Sequence, residues 1–358
     1  MHRHDWGRRY PTLGAGLVTL AAVLTLMGLL ATRPPHQHRI AAYRSRAASR
    51  LSRRFQVIGF LVPDQPGALA SFQAHAGQLN VVSPLWYQVA PDGSVRVSGF
   101  DPAVLATARA HGVAVVPLVT NLGDGMLHSF TTRWRAANTL AALAAREGYA
   151  GFNLDFELLP ASDRSQLSRF VADVNYALKA QGRMLMVSVF PLQGVPFAIS
   201  APDDYAALAR SARYLVMMAY DHHYSGGPPG PVAPYSWVAS NVATALKVIP
   251  ADHLILGVGL YGYDWVDNGK AGPAATLSDH GARALAAAHG VRPVVVDGDQ
   301  ETFRYSAGGV PHVVFFMGNR SAAARLALAR RTRLAGIALW ELGDEEMGFW
   351  HMLARNGG

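Results

Sequence analysis

Largely apolar runs of seven to eleven residues recur along this chain, and their spacing predicts eight β-strands. They are Phe55–Val62, Leu79–Val89, Val113–Thr120, Gly151–Glu157, Met184–Phe190, Tyr214–Asp221, His253–Leu260 and Gly336–Leu342. Helical patterns separate most of them. The clearest spans Asp163–Ala180, where Leu167, Phe170, Val171, Val174 and Leu178 fall on one helical face and Gly182 ends the pattern. Asp101–His111, Thr131–Arg146, Asp203–Ala212, Trp237–Lys247 and Ala322–Arg331 read as further helices. Strand and helix in alternation imply parallel pairing. Eight such units predict a (β/α)8 TIM barrel, whose usual size is about 250 residues plus insertions. An open doubly wound sheet is the alternative. The seventh and eighth strands lie too far apart for one helix. Between them Val294–Asp297, Thr302–Tyr305 and Val313–Met317 look like short strands, with a turn at Gly308-Gly309. This predicts a small α+β insertion at about 266–320, forming one wall of the barrel mouth.

The fourth strand departs from the others. In Gly151-Phe152-Asn153-Leu154-Asp155-Phe156-Glu157, apolar and polar residues alternate. On a strand, alternate residues share a face, so Asn153, Asp155 and Glu157 line one side. An ordinary buried strand does not carry three polar side chains, because desolvating them is costly. Two carboxyls about 7 Å apart, from a rise of roughly 3.3 Å per residue, perturb one another's ionisation. An edge strand with one wet face is the plainer reading, but the flanks look buried.

Before the first strand the pattern changes. Leu13–Ala31 is an uncharged run of 19 residues, just long enough to cross a bilayer as a helix. Arg3, Arg8 and Arg9 precede it, and Thr32-Arg33-Pro34-Pro35 follows without a small-residue cleavage site. These features predict a basic tail at 1–12, an uncleaved transmembrane signal anchor at 13–31 and a basic linker at 32–53, with the barrel at 54–358; a cleaved signal peptide is the alternative. Arg33, Arg39, Arg44, Arg46, Arg50, Arg53 and Arg54 occur in the linker region without one acid. By the positive-inside rule that cluster would hold the barrel in the cytoplasm; the substrate argued for below favours the extracytoplasmic side, periplasm or cell surface. The net charge of +8 comes with no nucleic-acid motif, so anionic lipid or an anionic wall polymer suits the basic segment better than nucleic acid. The chain has no cysteine, which excludes disulfides, thiolate metal sites and cysteine nucleophiles.

Catalytic residues of a TIM barrel come from the C-terminal ends of its strands. Those ends carry Trp86-Tyr87, Asp155 and Glu157, Tyr220-Asp221, Tyr261-Gly262-Tyr263 and Trp340. Aromatic faces stack on sugar rings and carboxylates bind hydroxyls, so the set points to a carbohydrate. His222-His223 has no third ligand at metal-binding spacing, and Gly257-Val258-Gly259 lacks the rest of a dinucleotide fingerprint. No metal and no cofactor is expected.

These residues resemble glycoside hydrolase family 18, the chitinase-like barrels, whose motif Asp-Gly-x-Asp-x-Asp-x-Glu stands here as Ala150 to Glu157. Ser83–Tyr87, Met218–Asp221 and Tyr261–Trp265 are similar to segments of bacterial spore-cortex and cell-wall glucosaminidases. The resemblance covers about residues 54–350. It implies a retaining hydrolase whose nucleophile is the substrate's own 2-acetamido oxygen, an exception to the two-carboxylate scheme. Glu157 would be the general acid, Asp155 would orient the acetamido group, and Tyr220 would hydrogen-bond its carbonyl. Asn153, Asp221, Trp340, Trp86, Tyr87 and Tyr261 would bind the sugar. Asn153 replaces the motif's outer Asp, and Ala150 another. The implied substrate is a β-1,4-linked N-acetylglucosamine-containing glycan, peptidoglycan first, with chitin or an exopolysaccharide as alternatives. A non-catalytic glycan-binding barrel is the remaining one.

Overall fold

In the computed structural model, eight parallel strands close into a barrel. The structure describes residues 35–357, and side chains within 42–355. Residues 1–43 and 44–358 form two units; of the first, only the start of helix α1, Pro35–Leu51, is described. The barrel strands are β1 Gln56–Leu61, β2 Val81–Val89, β3 Leu118–Asn121, β4 Gly151–Asp155, β5 Met184–Val189, β6 Tyr214–Met217, β7 Leu254–Gly259 and, after an insertion, β13 Gly336–Trp340. Each pairs in parallel with its sequence neighbour, and β13 pairs with both β7 and β1, closing the ring.

Helices α2 Ala68–His75, α3 Pro102–His111, α4 Phe130–Glu147, α5 Arg164–Lys179, α6 Tyr205–Ser211 and α7 Tyr235–Ala245 follow successive strands. Local chemistry sets their ends. In α3, the Asp101 side chain accepts from the Ala103 N–H, Pro102 occupies the first turn, and Gly112 at φ +67° closes the helix. In α5, Leu167, Phe170, Val171, Val174 and Leu178 are all buried against the barrel.

The expected third strand is broken. Ala114–Val115 pairs with Val81–Val82, and β3 proper begins after Pro117, which has no N–H for a ladder. The segment expected to be a linker is instead helical through Leu51. Pro35 stands at its start, where a helix tolerates proline, and the Ala- and Arg-rich remainder is helix-forming. Arg46 and Arg50 of that helix donate to the carbonyls of Arg109, Leu79 and His111. Among the described residues no helix is long and apolar enough to cross a membrane. The expected anchor at 13–31 lies outside the described residues.

The insertion is a five-stranded antiparallel sheet. Its strands are β8 Tyr261–Val266, β9 Ala274–Ser278, β10 Val294–Val296, β11 Gln300–Ala307 and β12 Val310–Phe316, in the order β9-β8-β12-β11-β10. It begins at Tyr261, earlier than the expected 266, because the tyrosine segment after β7 forms its own strand. Helix α8, Asp279–Ala288, packs Ala282 and Ala286 against Phe303, Val314 and Phe316. Helices α9, Gly318–Arg331, and α10, Phe349–Gly357, flank β13 in sequence. Fully buried Arg325 of α9 pairs with Asp299, in the turn before β11, and donates to the Ala233 carbonyl.

Candidate active site

Glu157 stands just past the end of β4, and its backbone is clamped. The Asn121 side chain, at the end of β3, accepts from the Glu157 N–H at 3.0 Å and donates to its carbonyl at 3.1 Å. The next residue, Leu158, has φ +55° and is 77% exposed, a left-handed conformation that costs a non-glycine residue about 1–2 kcal/mol. The clamp and that turn lift the chain out of the strand and hold Glu157 at the wall of a cavity of about 380 Å³. Tyr220, Asp221, Met218 and Tyr263 line the same cavity, together with Phe190, Val195 and Tyr224.

Asp155 is buried at the C-terminal end of β4, opposite Thr120 of β3. Ser188 of β5 hydrogen-bonds it, and the same hydroxyl accepts from Asn153 Nδ2 at 3.2 Å. No donor among the described residues reaches Asp155 Oδ1. Burial raises the Asp155 pKa, and the charge of Glu157 raises it further. Glu157 is raised by burial and then by Asp221. Burial pushes Tyr220 well above the tyrosine range, with Asp155, Asp221, Glu157 and Glu341 adding to it. The phenol is therefore a neutral hydroxyl among four carboxyls.

Asp221, with φ +59°, accepts hydrogen bonds on Oδ1 from Tyr261 and from Tyr263, the latter at 2.8 Å. Its recess raises its pKa, and the two phenols lower it. Both tyrosines belong to β8, so the insertion supplies the groups that steady a barrel carboxylate. Two glycines of β7 make room. A Cβ at Gly257 would lie 2.6 Å from the Met217 carbonyl and 3.1 Å from the Tyr220 ring, and one at Gly259 would lie 2.8 Å from the Tyr261 ring. Trp340 is half-buried at the end of β13, edge-on to Phe60 at 5.3 Å, and the Trp340–Glu341 peptide is cis.

Four residues expected to bind sugar are buried among protein side chains. Trp86 and Tyr87 are 0% and 2% exposed. The register of β2 shifts between Leu85 and Tyr87, and such a bulge re-aims side chains. Trp86 packs on Phe100 and Tyr149, and Tyr87 on Phe152, with its hydroxyl 2.9 Å from that of Tyr149. Asn153 is fully buried and touches Asp155's partner Ser188. Tyr261 is 4% exposed and acts on Asp221.

Other residues of the site carried no motif signal. Asn121 works through a backbone. Buried Asp203, whose Oδ2 accepts from the Phe190 N–H at 2.7 Å, is pushed up to about 7 by burial, with Glu157 adding to it. Glu341 is pushed up to about 8 by burial and then by Asp344, and its Oε2 has no donor among the described residues. It follows Trp340 directly, so position at a strand end was its available signal.

The arrangement has the parts of a glycosidase. It holds a carboxyl whose pKa burial raises at a cavity wall, a buried carboxyl with one oxygen open to a donor, a neutral phenol and a half-exposed indole. The sequence profile of "Glycosyl hydrolases family 18" matches residues 119–345. The "Putative sporulation-specific glycosylase YdhD" of Bacillus subtilis is 29% identical over 273 residues, 73% of this chain and 65% of YdhD. The cortical fragment-lytic enzyme of the same organism is 30% identical over 245 residues, 65% of this chain and 56% of that protein. The chain thus spans less than two thirds of the length of either relative. A chitinase from Chromobacterium violaceum superposes with a TM-score of 0.80 at 27% identity, covering 85% of this chain and 99% of that one.

Proposed function

The chain belongs to glycosyl hydrolase family 18, and from that membership we propose that it cleaves β-1,4 bonds beside N-acetylglucosamine with retention, peptidoglycan being its substrate. The observation that carries the reading is the lone oxygen of Asp155. A buried acceptor without a donor costs about 1–3 kcal/mol, and the N–H of a 2-acetamido group would repay it. With that N–H held on Asp155 and the acetamido carbonyl against Tyr220, the carbonyl oxygen is aimed at the anomeric carbon. It attacks there as the bond to the leaving oxygen breaks, and Glu157 gives its proton to that oxygen. Glu157, now a carboxylate, takes a proton from water as the water opens the ring and restores the acetamido group. The raised pKa of Glu157 suits a group that must start protonated near neutrality. Asp221 receives a sugar hydroxyl, and Trp340 lies under the ring. Likeness to a cortical fragment-lytic enzyme favours peptidoglycan over chitin or an exopolysaccharide. The uncharged run at 13–31 would tether the barrel to the membrane on its outer side, where such a polymer lies.

The test is turnover of peptidoglycan, chitin oligomers and poly-N-acetylglucosamine with product masses read. Glu157→Gln should lower the rate by about 10²–10⁴-fold, the usual contribution of a general acid. No release from any of the three polymers overturns the proposal.

A further inference from the structure

A second group of ligand-type side chains stands at the same end of the barrel, outside the cavity. The connection after β3 folds into a tight turn, Gly125–His128, preceded by Asp124. The connection after β4 folds into another, Ala161–Asp163, leading into α5. His128 Nε2 lies 3.8 Å from Asp124 Oδ2 and 3.6 Å from Asp163 Oδ2. The three ligand atoms all fall within 4.8 Å of one another.

Asp163 is the observation that raises this above a surface cluster. The residue is 1% exposed, and its Oδ2 has no hydrogen-bond donor among the described residues. That same oxygen faces His128. At 3.6 Å the imidazole is beyond hydrogen-bond range, so the buried oxygen is incompletely compensated. An ion held tetrahedrally at about 2.0–2.1 Å spaces its ligands by roughly 3.3 Å. Asp124 and His128 are 41% and 50% exposed, and rotation of these two side chains closes the set onto one ion.

We propose that Asp124, His128 and Asp163 bind one divalent transition-metal ion of the zinc class, with solvent completing its shell. One imidazole with two carboxylates is a borderline donor set, which suits zinc better than calcium or magnesium. The ion would brace the acid's setting rather than take part in the reaction. It joins the connection that starts at Asn121 to the one that starts at Glu157, so both halves of the clamp would be tied at their far ends. The proposal does not depend on the hydrolase reading, because binding is measured without substrate.

The experiment uses the full chain, free of any tag, stripped with chelator and titrated with ZnCl2 by calorimetry alongside a thermal scan. His2, His4, His36 and His38 are further candidate zinc ligands, so the reading is the difference between the unaltered chain and His128→Ala. Loss of one zinc equivalent in His128→Ala, or weakening of that equivalent by at least about 100-fold, supports the site. So does weakening of about 10-fold in Asp124→Asn, an exposed substitution whose folding is checked by circular dichroism. Superimposable zinc titrations of the unaltered chain and His128→Ala overturn it. Tighter binding of CaCl2 than ZnCl2 at this site overturns the ion class.

Discussion

Asn121→Ala tests how the acid is held. The substitution removes both hydrogen bonds to the Glu157 backbone, at 3.0 and 3.1 Å. Each such bond contributes about 0.5–1.5 kcal/mol net, so the pair is worth about 1–3 kcal/mol. Asn121 is only partly buried and water can replace part of what is lost, which places the cost near the lower end. The effect on rate is larger, because Leu158 at φ +55° relaxes once the residue before it is free. An acid displaced by about 1 Å costs on the order of 10²-fold in rate. We expect kcat on a fluorogenic N-acetylglucosamine oligomer to fall by about 10- to 100-fold with KM little changed, and Tm to fall by a few degrees. Asn121→Asp keeps the acceptor for the Glu157 N–H but sets an anion against its carbonyl, so it should not rescue. A kcat within about twofold of the unaltered enzyme, with Tm unmoved, would refute the clamp.

The buried carboxyls make a pH prediction. Asp155 and Glu157 are both raised, so between their unfolded and folded pKa values the native state binds more protons, and stability falls as pH rises through that window. Asp155→Asn should raise Tm at neutral pH, gain little below the ordinary carboxylate range, and abolish most activity; equal gains at both pH values would contradict the assignment. Trp86→Phe should lower stability through lost packing, by about 1–3 kcal/mol, and Tm with it, while oligosaccharide affinity stays within about twofold, read by calorimetry on the Glu157→Gln background. Affinity loss with unchanged Tm would return Trp86 to the sugar. Arg325→Met leaves Asp299 buried and unpaired, which costs about 3–5 kcal/mol, measurable as a drop in unfolding midpoint; a change under about 1 kcal/mol would count against the pair.

The barrel was legible because its strands are buried on both faces and read as near-continuous apolar runs. Asp155 and Glu157 were legible for the opposite reason, as polar residues where a core strand has none. What stayed hidden acts at a distance that periodicity does not encode. Asn121 reaches across 36 positions to a backbone, and the phenols of Tyr261 and Tyr263 reach back about 40 to Asp221. Trp86 and Tyr87 looked like mouth residues because a strand without a bulge would have put one of them there. The register shift at Leu85 accompanies the burial of both, against Phe100, Tyr149 and Phe152. The tyrosine strand β8 reads as a continuation of β7, since only Leu260 separates them. Prolines at 34 and 35 suggested a linker, whereas Pro35 stands at the front of a helix.

Two phenols on the inserted sheet favour the charged form of Asp221 against the burial that opposes it. This bears on how such a barrel can diverge. Lengthening or shortening the groove means exchanging that sheet, and any replacement that fails to carry both hydroxyls in register disarms an acid rooted elsewhere in the chain. Groove length and carboxylate chemistry are thus inherited as one module, and a chimera built by swapping residues 261–316 should keep its fold and lose its grip on sugar until the tyrosines are restored.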